Sequence, residues 1–180
     1  MPETTRITLA VFVIAAALFD VWRRRIPNWL VLVGLGCAFF LAAASRDWRI
    51  VGECLVGMVV ALVVYVGLYA LRAVAAGDAK LMSVVGAFVG VRDWLMVFVL
   101  TALAGGAVAL IVVLVRGRLV QTVRNVGVIL SELAHGRLPH ARNPELDVRS
   151  HRALRLPHGF SIALGTLLYL SIQGFRAFSA

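Results

Sequence analysis

The chain has 180 residues, of which 61% are hydrophobic and 15% charged, with a mean hydropathy of +0.92. A soluble domain carries roughly 25% charged and 45–50% apolar residues, so a water-soluble globular protein is excluded. The net charge is +9, but the basic residues border long apolar blocks, which points to membrane topology and away from a nucleic-acid partner.

The first apolar run is Ile7 to Phe19, and Arg23-Arg24-Arg25 follow it. Ala15-Ala16-Ala17 resembles a signal-peptide cleavage site, yet positive charge after the run favours a retained helix with its N-terminus outside. Ile26-Pro27-Asn28 leads into a second span, Trp29 to Ser45; Pro27 costs no hydrogen bond at a helix start. Arg46-Asp47-Trp48-Arg49 is a turn, with Trp48 expected at the interface. The third span is Ile50 to Leu71, where Gly52, Gly57 and Gly67 are available for close helix contact. Arg72 to Lys80 separates it from a short fourth span, Leu81 to Val91, and Gly90-Val91-Arg92-Asp93 turns the chain into a fifth, Trp94 to Val115.

Arg116 to Leu156 is a long basic stretch in which Leu119, Val120, Val123, Val126, Leu130 and Leu133 recur at helical spacing. An amphipathic helix on anionic lipid is the expectation there, with docking of assembly partners as the alternative. Pro157 to Phe178 is the sixth span. The fold expected is therefore all-α: one polytopic membrane domain over 1–180 with about six transmembrane helices. With alternating sides, 13 of the 18 basic residues fall in the loops after spans one, three and five, which puts those loops in the cytoplasm. Asp20 and Asp78 then share that face.

An ionisable residue at the border of a membrane span is costly to keep and reads as functional. Two carboxylates held close cannot both ionise cheaply, so the pair retains a proton. Such a pair suits peptide hydrolysis: the ionised member takes a proton from attacking water and the protonated member polarises the carbonyl. Two blander readings stay open on residue chemistry alone. Asp78 serves as a helix N-cap, and Asp20 pairs with Arg23 or Arg24 along its helix. Lys80, two residues past Asp78, either tunes that carboxylate or extends to the headgroups.

Ala75-Ala76-Gly77-Asp78-Ala79-Lys80-Leu81 resembles the Gly-x-Gly-Asp motif of prepilin peptidases, which are membrane aspartyl proteases. Asp20 followed by Arg23-Arg24-Arg25-Ile26-Pro27-Asn28 is similar to that family's first aspartate region, and Leu156-Pro157-His158-Gly159 to its last-span signature. The resemblance implies catalytic roles for Asp20 and Asp78, with Gly77, Lys80, Pro27, Asn28, Pro157 and Gly159 as supporting motif positions. It implies prepilin substrates, cleaved between a basic leader and a hydrophobic helix at the cytoplasmic face of the bacterial inner membrane. Pilus-assembly proteins and membrane lipid are the further partners it implies. Without an inserted cytoplasmic region before Ile26, the chain looks like the short Flp-type member without N-methyltransferase activity. Ala75 stands where the motif has its first glycine, and His158 where an aromatic is usual.

No cofactor or metal is expected. His135, His140, His151 and His158 match no ligand spacing and are expected as solvated loop side chains. Cys37 and Cys54 lack a CxxC spacing and read as small packing residues. Two rivals remain: a proton-coupled transporter or channel subunit using both aspartates as a relay, and a structural assembly subunit.

Overall fold

Inside a bilayer the backbone must satisfy its own polar groups, and apolar blocks of this length do so as helices. The computed structural model describes residues 1–23, 25–117, 122–124, 126–128, 131 and 158–178. Five long helices run through them: α1 (Glu3–Arg23), α2 (Asn28–Ala44), α3 (Trp48–Ala70), α4 (Ala76–Val115) and α5 (His158–Phe178). Helices α1, α3 and α4 are each long and apolar enough to cross a membrane, and α2 is a shorter apolar helix. This is an all-α membrane protein.

Side-chain contacts set the direction of each helix. Phe19 of α1 meets Trp29 of α2 edge-on at 5.7 Å, while the space beside Gly34 is filled by Phe12, so α1 and α2 are antiparallel. Gly159 of α5 lies on Asp20 and Leu170 on Arg6, so α5 is antiparallel to α1 as well. Asn28 meets Lys80 and Gly34 meets Val84, which makes the first part of α4 parallel to α2. Its last part runs the other way, because Thr101 packs on Gly165 and Asp93 on Tyr169.

Helix α4 therefore folds back on itself. The reversal falls at Gly90, whose φ of 74° and ψ of 172° interrupt the helical dihedrals. Glycine is the residue that adopts this conformation without a Cβ penalty. Counting residues 76–89 and 91–115 separately, the described bundle has six antiparallel passes. The turn was expected across Gly90 to Asp93; instead Arg92 and Asp93 already belong to the second half. Asp93 turns inward, accepting a 2.7 Å hydrogen bond from the Tyr169 hydroxyl, with Gln173 donating to the same hydroxyl at 3.1 Å.

Without a hydrophobic drive between helices in lipid, small residues decide where backbones approach. A Cβ at Gly57 would strike the Gly86 carbonyl oxygen and lie 2.9 Å from the Gly90 Cα. This crossing joins α3 to the first half of α4. Gly52 and Gly67, expected alongside Gly57 as contact glycines, face open space. Trp48 starts α3 and is 85% exposed, at the end where an interfacial aromatic belongs. Asp47 caps that helix by accepting the Arg49 N–H at 2.9 Å. Pro27 occupies the N-cap of α2, and its carbonyl accepts the Leu30 and Val31 N–H groups. Cys37 and Cys54 are free thiols within the bundle.

Candidate active site

At the end of the bundle opposite Trp48, the ends of α1, α2, α4 and α5 meet. Asp20 sits in the last turn of α1, which runs to Arg23, beyond the expected limit at Phe19. Its Oδ2 accepts the backbone N–H of Gly159 at 2.8 Å. That N–H is one of the unpaired donors in the first turn of α5, so Asp20 caps a helix other than its own. The contact demands glycine. A Cβ at 159 would lie 2.8 Å from Oδ2 and 3.0 Å from the Asp20 Cβ and Cγ.

Asp78 occupies the third position of α4, where its Oδ2 accepts the Ala75 N–H at 3.0 Å. The N-cap itself is Ala75, so the alternative reading of Asp78 as the N-cap is off by three residues. Ala75 has φ −87° and ψ 157°, an extended conformation open to any residue. Alanine in place of glycine therefore creates no strain there. Asp78 is only 4% exposed. Burying a carboxylate costs several kcal/mol unless it is paired or protonated, so its neighbours matter. Asp20, His158 and Tyr65 all lie within electrostatic range of it. The two aspartates that the sequence places on one face are thus brought to one site.

The supporting motif positions take different parts. Lys80 donates from Nζ to the Asn28 Oδ1 at 2.8 Å, tying the start of α4 to the start of α2. Ile26, 9% exposed, packs over Gly77. A Cβ at Gly77 would meet Ile26 at 3.7 Å, ordinary contact, so no close backbone approach depends on that glycine. Close approach depends on Gly159 instead. Pro157 and the histidines at 135, 140 and 151 lie outside the described residues, as does most of the basic stretch 116–156. Among the described residues no group of three His, Cys, Asp or Glu side chains could hold a metal.

Two site residues escape the sequence reading. His158 is half-buried at the first position of α5 rather than solvated in a loop. Tyr65 lies buried in α3, its ring edge-on to Phe98 at 5.9 Å. The signal for Tyr65 was available: Cys54, Gly57, Ala61 and Tyr65 recur at helical spacing, and all four are buried.

A helical membrane bundle with two aspartates converging at one end is the class that fold and geometry define. The sequence model of the type IV leader peptidase family matches residues 7–110, a span containing both aspartates. The chain belongs to that family, and it is accordingly a membrane peptidase. No curated protein matches the chain, and no solved structure does. Helix α5, with Gly159 and His158, lies beyond the matched residues.

Proposed function

We propose that the protein is an aspartic endopeptidase that removes the short basic leader from type IV prepilins of the Flp type. Asp20 and Asp78 are the catalytic pair, and the observation that carries this reading is their convergence from α1 and α4 on one buried site. One carboxylate, ionised, takes a proton from water as the water oxygen attacks the scissile carbonyl carbon. The other, protonated, donates to the carbonyl oxygen and so stabilises the charge that develops there. As the C–N bond breaks, the first carboxyl gives the proton it took from water to the leaving nitrogen, and the second takes a proton back from a hydroxyl of the tetrahedral intermediate, so the pair ends with one proton, as it began. No group outside the chain and the substrate is needed for these steps.

The active face is the cytoplasmic one, in the bacterial inner membrane, and supports pilus assembly or secretion. The charge asymmetry of the loops supports this orientation. A proton relay would favour carboxylates near the membrane midplane; here both aspartates stand at helix ends on the same side of the bundle.

The test is cleavage of a co-expressed Flp-type prepilin in membranes by the parent, Asp20→Asn and Asp78→Asn. Asparagine keeps the size and the acceptor for the Gly159 or Ala75 N–H but exchanges no proton. Each single variant is expected to leave the precursor uncut, a loss of at least about 10³-fold, while inserting at the parental level. Parental cutting by either variant would reject the pair as catalyst.

A further inference from the structure

The Gly159 N–H reaches Asp20 only while α5 keeps its place along α1, and α1 holds α5 at a second point. Near the start of α1, the Arg6 guanidinium donates to the Leu170 carbonyl at 3.2 Å, and its Nη2 lies against Gly174, where a Cβ would come within 2.5 Å. Arg6 and Asp20 are 14 residues apart, about 21 Å of helical rise; Gly159 and Gly174 are 15 apart, about 22 Å. The two lengths match, so the antiparallel helices are tied at both ends in one register.

At the end away from the aspartates, α5 is bonded to α4 as well. Tyr169, fully buried, donates to the Asp93 Oδ2 at 2.7 Å and accepts from the Gln173 Nε2 at 3.1 Å. Bonds to a charged group are short and directional, so they fix a position along the helix axis. Between the two ends the contact is of another kind. Gly165 packs on the Thr101 backbone, where a Cβ would lie 2.5 Å from the amide nitrogen. The Thr101 hydroxyl, buried beside it, makes no hydrogen bond among the described residues. Close packing of this sort sets how near α5 and α4 approach, but dispersion is non-directional and opposes sliding weakly. Axial register is left to the polar bonds at the ends.

We propose that Tyr169 and Arg6 are positioning residues for Asp20: the polar clasp they make with Asp93 and the Leu170 carbonyl sets where α5 stands along its axis, and so keeps the Gly159 N–H on the Asp20 carboxylate. The assignment rests on the peptidase reading and deepens it. The clasp acts at a distance, since Tyr169 is ten residues from Gly159 along α5, about 15 Å of rise. The Gly159 contact has no slack, because one added carbon would stand 2.8 Å from Oδ2. Displacing a reacting group by a fraction of an ångström is enough to slow its chemistry.

The experiment measures kcat and KM for prepilin cleavage in mild detergent, per mole of folded protein by gel filtration. It compares the parent, Tyr169→Phe, Arg6→Gln, Gly159→Ala and the double variant Tyr169→Phe/Gly159→Ala. Tyr169→Phe and Arg6→Gln are each expected to lower kcat about tenfold with KM within about twofold of the parent. The double variant is expected within about threefold of Gly159→Ala alone, because a contact already lost cannot be lost again. Merely structural damage would instead multiply with the effect of Gly159→Ala, and that result would overturn the proposal, as would a parental kcat in Tyr169→Phe. Where Tyr169→Phe does not fold, Arg6→Gln takes its place in the same cycle. A parent that leaves the prepilin uncut, or an Asp20→Asn variant that cuts it, would bring down the peptidase reading itself. An active parent with inert aspartate variants and multiplying losses would bring down the clasp alone.

Discussion

At Gly159 the difference between a hydrogen and a methyl group decides whether Asp20 keeps its partner. The first-turn N–H of α5 reaches the carboxylate only because nothing projects from the Cα. Gly159→Ala is expected to push α5 and Asp20 apart by a fraction of an ångström and to reduce prepilin cleavage on the order of 10²-fold, since small displacements of catalytic groups have effects of that size. Gly77→Ala is the matched control, because a methyl group there reaches only ordinary contact with Ile26. It is expected to cut within about twofold of the parent, with both variants scored at equal insertion. This outcome inverts the weight that the motif alone assigns. Gly77 stands next to Asp78 in sequence and so attracts attention, whereas the glycine under steric demand is far from either aspartate along the chain. Sequence adjacency is a poor guide to which hydrogen atom another helix requires. His158 was missed for a related reason: a histidine beside a basic stretch reads as solvated until the start of α5 is fixed in space.

Between helices, one tight contact is the crossing of α3 with the first half of α4, made at Gly57, Gly86 and Gly90. Gly86→Leu is expected to force this crossing open at a cost of about 1–3 kcal/mol. Gly52→Leu and Gly67→Leu, which project into open space, are expected to stay within about 0.5 kcal/mol of the parent. Reversible unfolding in mixed micelles of mild detergent and dodecyl sulfate would measure all three. Equal costs at positions 52, 67 and 86 would mean that the crossing is not the contact that holds α3. Spans and their order were legible because apolar block length is a direct readout of bilayer thickness. Which of three glycines in α3 carries the contact was not, because Gly52, Gly57 and Gly67 are the same residue type in similar apolar surroundings and differ only in what the partner helix presents. The asymmetry of polar contacts was hidden too. Asp93 was placed in a turn on its charge, yet the Tyr169 hydroxyl draws it into the bundle.

At the scale of the molecule, the six antiparallel passes among the described residues put the 45–48 turn and the 71–75 turn at opposite ends of the bundle. In a background with Cys37 and Cys54 replaced by serine, a cysteine at Trp48 is expected to react with a membrane-impermeant maleimide added to intact cells. A cysteine at Arg72 is expected to react only after permeabilisation. The reverse pattern would place the aspartate pair on the outer face. The orientation was inferred from the placement of basic residues alone, while the number of passes rests as well on the dihedrals of Gly90 and on the contacts flanking it. The aspartate pair was readable because both residues border apolar blocks with an even number of passes between them, which forces them to one side. That Asp20 also caps α5 at Gly159 is a contact between residues far apart along the chain, which local sequence does not pair.

The reversal at Gly90 also has a consequence for the lipid. Residues 76–89 rise about 21 Å as a helix, against roughly 30 Å of hydrocarbon in a typical bilayer. From Leu81 to Gly90 every residue of this pass is buried against the other helices, so its shortfall in length meets protein and not lipid. A pass enclosed in this way asks for no thinning of the bilayer around it.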